Sequence, residues 1–177
     1  IFVNAAGDGI DSNGTLLVNG GITLVSGPTD SANGALDYEV SADVSGGVLI
    51  ALGSSGMAQG FTSASSQGAI SYNFASQSAG TPFAVVNEDG SVVASFTPPK
   101  AYQSATVTAP GIVCGGTYTL ISGGTVNNAD ANGYTSDSTI SGGNTLAEIT
   151  MSENIYSSNG AGIGMGNEPG IEMNGDP

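Results

Sequence analysis

The chain of 177 residues is long enough for one domain with a real core, and it carries a single Lys or Arg against fifteen Asp or Glu, with no His and a formal net charge of −14. Lys100 alone cannot neutralise a phosphate backbone or an anionic bilayer, so nucleic acid and acidic membrane surfaces are excluded as partners. Without His or Arg, the Ser-His and Cys-His nucleophile pairs and guanidinium clamps are also excluded.

The chain opens on a strand-like Ile1-Phe2-Val3 without a secretory signal, and is read as mature or trimmed, its address having lain upstream. No stretch approaches the roughly 18 continuous apolar residues of a membrane helix, so membrane insertion is not expected. Short apolar runs follow, each closed by glycine: Thr15-Leu16-Leu17-Val18, Ile22-Thr23-Leu24-Val25 and Val48-Leu49-Ile50-Ala51-Leu52. They are too short for helices and read as strands.

These runs repeat. Residues 11–27 lie over residues 37–53 without a gap, placing Ile10-Asp11 on Leu36-Asp37, Gly20-Gly21-Ile22 on Gly46-Gly47-Val48, Leu24 on Ile50 and Gly27 on Gly53. A spacing of about 26 residues suits one coil of a parallel β-helix, with the Gly-Gly pair at a corner that needs positive φ. The expected fold is all-β: a parallel β-helix (solenoid) followed by a C-terminal antiparallel β extension.

After Gly68 the pattern changes. Residues 84–87 and 91–96 flank Glu88-Asp89-Gly90 as a hairpin that Pro98-Pro99 terminates. Further strands are expected at 104–108, 117–121, 138–140 and 146–151. The expected organisation is residues 1–70 as coils, 71–156 as an extension capping the last coil, and 157–177 as a Gly-, Met- and Asn-containing tail.

Acid concentrates at one corner. Asp8, Asp11 and Asn13 fall within six residues, and Asp37 and Glu39 stand one coil later at the positions of Asp11 and Asn13. Carboxylates stacked about 4.8 Å apart repel by roughly 3.5 kcal/mol at an effective dielectric constant of about 20. A calcium ion, whose oxygen ligands lie at about 2.3 to 2.6 Å, would bridge them, so Asp8, Asp11, Asn13, Asp37 and Glu39 are candidate ligands of a structural Ca2+. The competing reading is that Asp and Asn beside Gly are ordinary turn residues bonding their own backbone.

Two further expectations concern other side chains. The six tyrosines, at 38, 72, 102, 118, 134 and 156, are either half-buried sheet-margin residues or a flat row on which sugar rings stack. Cys114, the only cysteine, is expected to be a small buried apolar residue, with a link between subunits as the alternative.

The segments Gly7-Asp8-Gly9-Ile10-Asp11-Ser12-Asn13-Gly14, Ser26-Gly27-Pro28-Thr29, Gly34-Ala35-Leu36-Asp37-Tyr38, Gly53-Ser54-Ser55-Gly56-Met57-Ala58-Gln59, Gln77-Ser78-Ala79-Gly80 and Gly116-Thr117-Tyr118-Thr119-Leu120 resemble, in order, the bacterial carbohydrate-binding-domain family. That family is typified by a clostridial cellulose- and pectin-binding protein. The resemblance implies a right-handed parallel β-helix akin to polysaccharide lyases, calcium at Asp-rich corners, extracellular or cell-surface location, and binding of cellulose- or pectin-like polysaccharide without cleavage. The family's members carry more coils upstream, and none of their sugar-contact residues transfers to a position here, so the carbohydrate-binding residues stay unknown.

Two functions from different classes are expected to compete. One is a non-catalytic polysaccharide-binding module. The other is a structural protomer of an extracellular fibre or adhesin, a homo-oligomer or filament in which neighbouring subunits cover open β-helix ends. A degenerate lyase lacks a suitable base, because Lys100 beside Pro98-Pro99 is poorly placed for one, and no catalytic residue is expected.

Overall fold

The computed structural model describes residues 1–158. They form fourteen strands and no helix: β1 (Phe2–Asn4), β2 (Ile10–Ser12), β3 (Thr15–Ser26), β4 (Leu36–Tyr38), β5 (Ser41–Gly53), β6 (Ala69–Gln77), β7 (Phe83–Asn87), β8 (Ser91–Phe96), β9 (Tyr102–Thr108), β10 (Thr117–Ser122), β11 (Thr125–Val126), β12 (Ser138–Ser141), β13 (Asn144–Thr150) and β14 (Ile155–Ser157). The all-β expectation is met.

The repeat is realised as strand pairing. β2 runs parallel to β4 with Ile10 opposite Leu36 and Asp11 opposite Asp37, and β3 runs parallel to β5 with Ile22 opposite Val48 and Leu24 opposite Ile50. Every one of these pairs is 26 residues apart. At the corner, Gly21 and Gly47 have φ of 79° and 89°. A Cβ on Gly47 would lie 2.6 Å from the Gly20 carbonyl carbon, so the second corner rests on the first with no room for a side chain.

A continuous parallel β-helix is not what the sheets form. The first sheet has the order β1-β3-β5-β9-β6-β14, and β9 enters it antiparallel to both β5 and β6. The extension is therefore not separate: β9 and β14, from beyond residue 70, complete the sheet that the early strands begin. The tail expected at 157–177 lies outside the described residues apart from Ser157 and Ser158.

A second sheet, ordered β11-β12-β8-β7-β10-β13, packs on the first. The expected hairpin is β7 and β8, antiparallel, with Gly90 at φ 84° in the turn and Asp89 accepting from the Ser91 amide at 2.9 Å. Around it wraps a two-stranded ribbon, β10–β11 against β12–β13. Its corner is made by Gly123-Gly124 opposite Gly142-Gly143, all four at positive φ. The bend lets β10 pair with β7 while β12 pairs with β8, covering both edges of the hairpin. Ile121 and Ile140 then pack on Ala84, Val86 and Val92.

The run Val48-Leu49-Ile50-Ala51-Leu52 is buried on both faces because β5 is central. Val48, Ile50 and Leu52 join Leu24, Ile70, Val107, Phe83, Val85, Phe96 and Leu120 in the core between the two sheets. Leu49 and Ala51 point the other way, to Val25, Leu36, Tyr38, Val44 and Phe61. At one end of the main core, Phe74, Phe83 and Tyr102 form an aromatic group with centroids 5.7 to 6.4 Å apart.

Candidate functional site

The downstream end of the paired coils is closed. Residues 54–68 lie along β4 and the first half of β5, and β9 takes the second half. The Gln59 carboxamide substitutes for a strand: its Oε1 accepts from the Tyr38 amide at 2.8 Å and its Nε2 donates to the Tyr38 carbonyl at 3.3 Å. Gln67 Nε2 donates to the Gly47 carbonyl at 2.8 Å, and the Thr62 amide to the Ala42 carbonyl at 2.7 Å. These caps were not foreseen, although a Gln-Gly dipeptide recurs eight residues apart, at Gln59-Gly60 and Gln67-Gly68. Among the described residues no strand pairs with the opposite, upstream edge of β2, nor with that edge of β3 at residues 15–19.

The acidic corner lies on the outer face of β2 and β4. Leu36 and Tyr38 point into the core, so Asp37 between them points out, half-buried, with exposed Asp11 directly across the ladder. Exposed Glu39 follows one step on, its amide donating to the Ser12 carbonyl at 3.1 Å, and exposed Asn13 stands in the bend after β2. Asp8 lies just before β2 and is tied to the next coil, its Oδ1 accepting from the Gly34 amide at 2.8 Å. The Asp37 carboxyl is pushed above its ordinary range, first by burial and then by the charges of Asp8, Asp11 and Glu39.

Of the five candidate ligands, Asp11 stands opposite Asp37, and the charges of Asp8, Asp11 and Glu39 all act on Asp37. They form no ready-made cage: among the described residues no group of three or more Cys, Asp or Glu side chains is disposed to hold a metal ion. The turn-residue reading holds elsewhere. Asp30 accepts from the Ala32 amide, Asp89 from Ser91, and Asp130 from the amides of Asn132 and Tyr134. Lys100 does not relieve the corner, since its Nζ donates to the Ala5 carbonyl.

Of the two readings of the tyrosines the half-buried one holds in part, and the expectation for Cys114 is corrected. The tyrosines make no exposed row: Tyr38, Tyr102 and Tyr118 are buried, and Tyr72, Tyr134 and Tyr156 pack half-buried against the main core. Tyr118 is held by its hydroxyl, which donates to the Gly111 carbonyl and accepts from the Val113 amide, both at 2.8 Å. Cys114 is exposed, not buried, in the turn between β9 and β10, with its Sγ donating to the Ser152 carbonyl at 3.3 Å.

What the outer face of the coils does offer is a small ladder of neutral polar groups. Ser41 Oγ donates to Thr15 Oγ1 at 3.3 Å and Ser45 Oγ to Asn19 Oδ1 at 2.8 Å, each across 26 residues. Comparison of the chain with protein-family models, curated proteins and solved structures finds no match.

Proposed function

We propose that this chain is a non-catalytic, extracellular or cell-surface module that binds polysaccharide, with calcium bridging Asp11 and Asp37 on the outer face of its two paired coils. The supporting observation is the register of Asp11 on Asp37, with the Asp37 carboxyl held above its usual range in a corner that no positive side chain reaches. The motif resemblance to bacterial carbohydrate-binding-domain proteins supports the same function. A two-carboxylate bridge completed by water needs no ready-made cage, because calcium takes six to eight oxygens and accepts water among them.

A neutral glucan suits the surface better than a free uronate, which a chain of net charge −14 repels unless calcium lies between them. With the tyrosines inside, sugar would be held by hydroxyl and amide groups and not by aromatic stacking. Sedimentation with insoluble cellulose and with calcium-pectate gel, each with and without chelator, tests this. Retention by dispersed monomers is expected, and failure to bind either polymer in calcium would refute it.

The fibre protomer draws support from the open upstream edge of β2 and β3. End-to-end stacking also needs an open downstream edge, and residues 54–68 with β9 occupy that one. Electron microscopy of the sedimentation sample distinguishes the two: regular filaments without polysaccharide affinity would favour the fibre.

A further inference from the structure

Where the two sheets meet, away from the acidic corner, lies a cleft of about 310 Å³ lined by Val48, Asn87, Ser91–Val93, Pro110-Gly111 and Ser136-Asp137. Its volume is at the lower end of the range for small-ligand sites, about 300 to 1,000 Å³, which fits one ring and not a long ligand. Most of its walls belong to strands, while Ser136 and Asp137 lie in the exposed bend before β12. Val48 comes from the central strand β5, Asn87 ends β7, and residues 91–93 begin β8. The turn at Pro110-Gly111 is closed by the Ile112 amide donating to the Ala109 carbonyl at 2.9 Å, and Gly111 is tied to Tyr118.

The lining divides by chemistry. Val48, Val93 and Pro110 supply an apolar side, while Asn87, Ser136 and Asp137 supply oxygen atoms. Asn87 uses its Nδ2 on Ser91 Oγ at 3.0 Å, and Ser91 Oγ donates to Asp89 at 2.6 Å, which fixes the amide and leaves Asn87 Oδ1 without a partner among the described residues. The Ser136 hydroxyl and the Asp137 carboxylate have no side-chain partner among the described residues. Three acceptor groups beside an apolar wall, with no cation among them, suit a ligand that brings hydroxyl donors on one side and C–H groups on the other. A sugar ring has both. A uronate or phosphate is disfavoured by Asp137.

We propose that this cleft is a subsite for a single neutral hexose unit of a bound glucan. The proposal rests on the polysaccharide-binding function above, for which it supplies a location that the sequence did not.

Amide chemical-shift mapping with cellohexaose, and separately with hexagalacturonate in chelator, tests it alongside cellulose sedimentation. Cellohexaose is expected to shift the amides of Asn87, residues 91–93, Gly111, Ser136 and Asp137, and hexagalacturonate to leave them unmoved. Ser136→Trp, an exposed position whose indole would fill the cleft, should weaken cellohexaose binding by roughly tenfold or more with an unchanged melting temperature. Asp137→Ala should weaken it less. Cellulose retention without cellohexaose shifts at these residues, or with full affinity in Ser136→Trp, overturns the cleft while polysaccharide binding stands. Loss of retention on every polysaccharide overturns both.

Discussion

Replacing Asp37 by Asn should change stability in opposite directions with and without calcium. Asp37 lies one strand spacing from Asp11, about 4.8 Å. At that distance two carboxylates repel by about 0.9 kcal/mol at the dielectric constant of water and about 3.5 kcal/mol at an effective value of about 20. Because Asp11 is exposed and Asp37 only half-buried, the gain from Asp37→Asn without divalent ions should lie near the lower figure, about 1 kcal/mol. For a domain of this size that raises the melting temperature by about 2 to 4 °C.

In calcium at a hundredfold excess over its dissociation constant, the wild type gains about 2.7 kcal/mol that a chain lacking Asp37 does not. The order of melting temperatures should then reverse, the variant falling below the wild type. The pH dependence has a definite sign. Since the folded-state pKa of Asp37 is raised, its proton is held more tightly in the folded chain, and the stability this contributes is lost as pH rises through that pKa. The advantage of Asp37→Asn in chelator should therefore be present at neutral pH and vanish on acidification. A variant no more stable than wild type in chelator, or a wild type whose melting temperature ignores calcium, would refute the reasoning.

Four other substitutions have calculable outcomes in denaturant or thermal unfolding. Ser26 Oγ is buried without a partner among the described residues, so Ser26→Ala should be neutral or stabilising by up to about 1 kcal/mol, and a clear loss would reveal a bonding role. Gly124→Ala combines a φ of 77° with a Cβ placed 2.7 Å from the carbonyl oxygens of Ser141 and Gly142, and should cost roughly 2 to 4 kcal/mol. Gly80→Ala, at φ 75° in open space, should cost only about 1 kcal/mol, and equal losses would mean that the ribbon corner is not tightly packed. Gln59→Ala strips both bonds from the Tyr38 backbone, so it should cost about 1 to 3 kcal/mol and speed hydrogen exchange at that amide; unchanged exchange would contradict the cap.

The coil register was legible in the sequence because its determinants are local and repeated: Gly20-Gly21 and Gly46-Gly47 fix the corner, and Leu24 and Ile50 stack like on like. Asp89-Gly90 marked the β7–β8 hairpin for the same reason. Sheet membership was not legible. The run from Tyr102 to Thr108 reads as a strand of the antiparallel extension, and nothing in its alternation announces that β9 pairs with β5 in the first sheet. No strand was expected at β6 because polar Ser71, Asn73 and Gln77 interrupt its apolar pattern, whereas Ile70 and Phe74 of the same strand pack in or against the main core.

At the acidic corner the sequence correctly placed Asp11 on Asp37. It did not reveal that Asp8 is held by the Gly34 amide, a bond that depends on how the preceding turn meets the next coil. Cys114 was misjudged, and the full burial of Tyr38, Tyr102 and Tyr118 was missed, for a related reason. Tyr is of intermediate burial, and a lone Cys between Val113 and Gly115 carries no pattern, so only the assembled sheets decide their exposure.

Calcium bridging of the coils is tested most directly by locating the ion: a crystal grown in calcium, measured for anomalous scattering. A peak about 2.3 to 2.6 Å from carboxylate oxygens of both Asp11 and Asp37 is the expected result. Saturating calcium with no peak there, and with the two carboxylates turned apart into solvent, would contradict it.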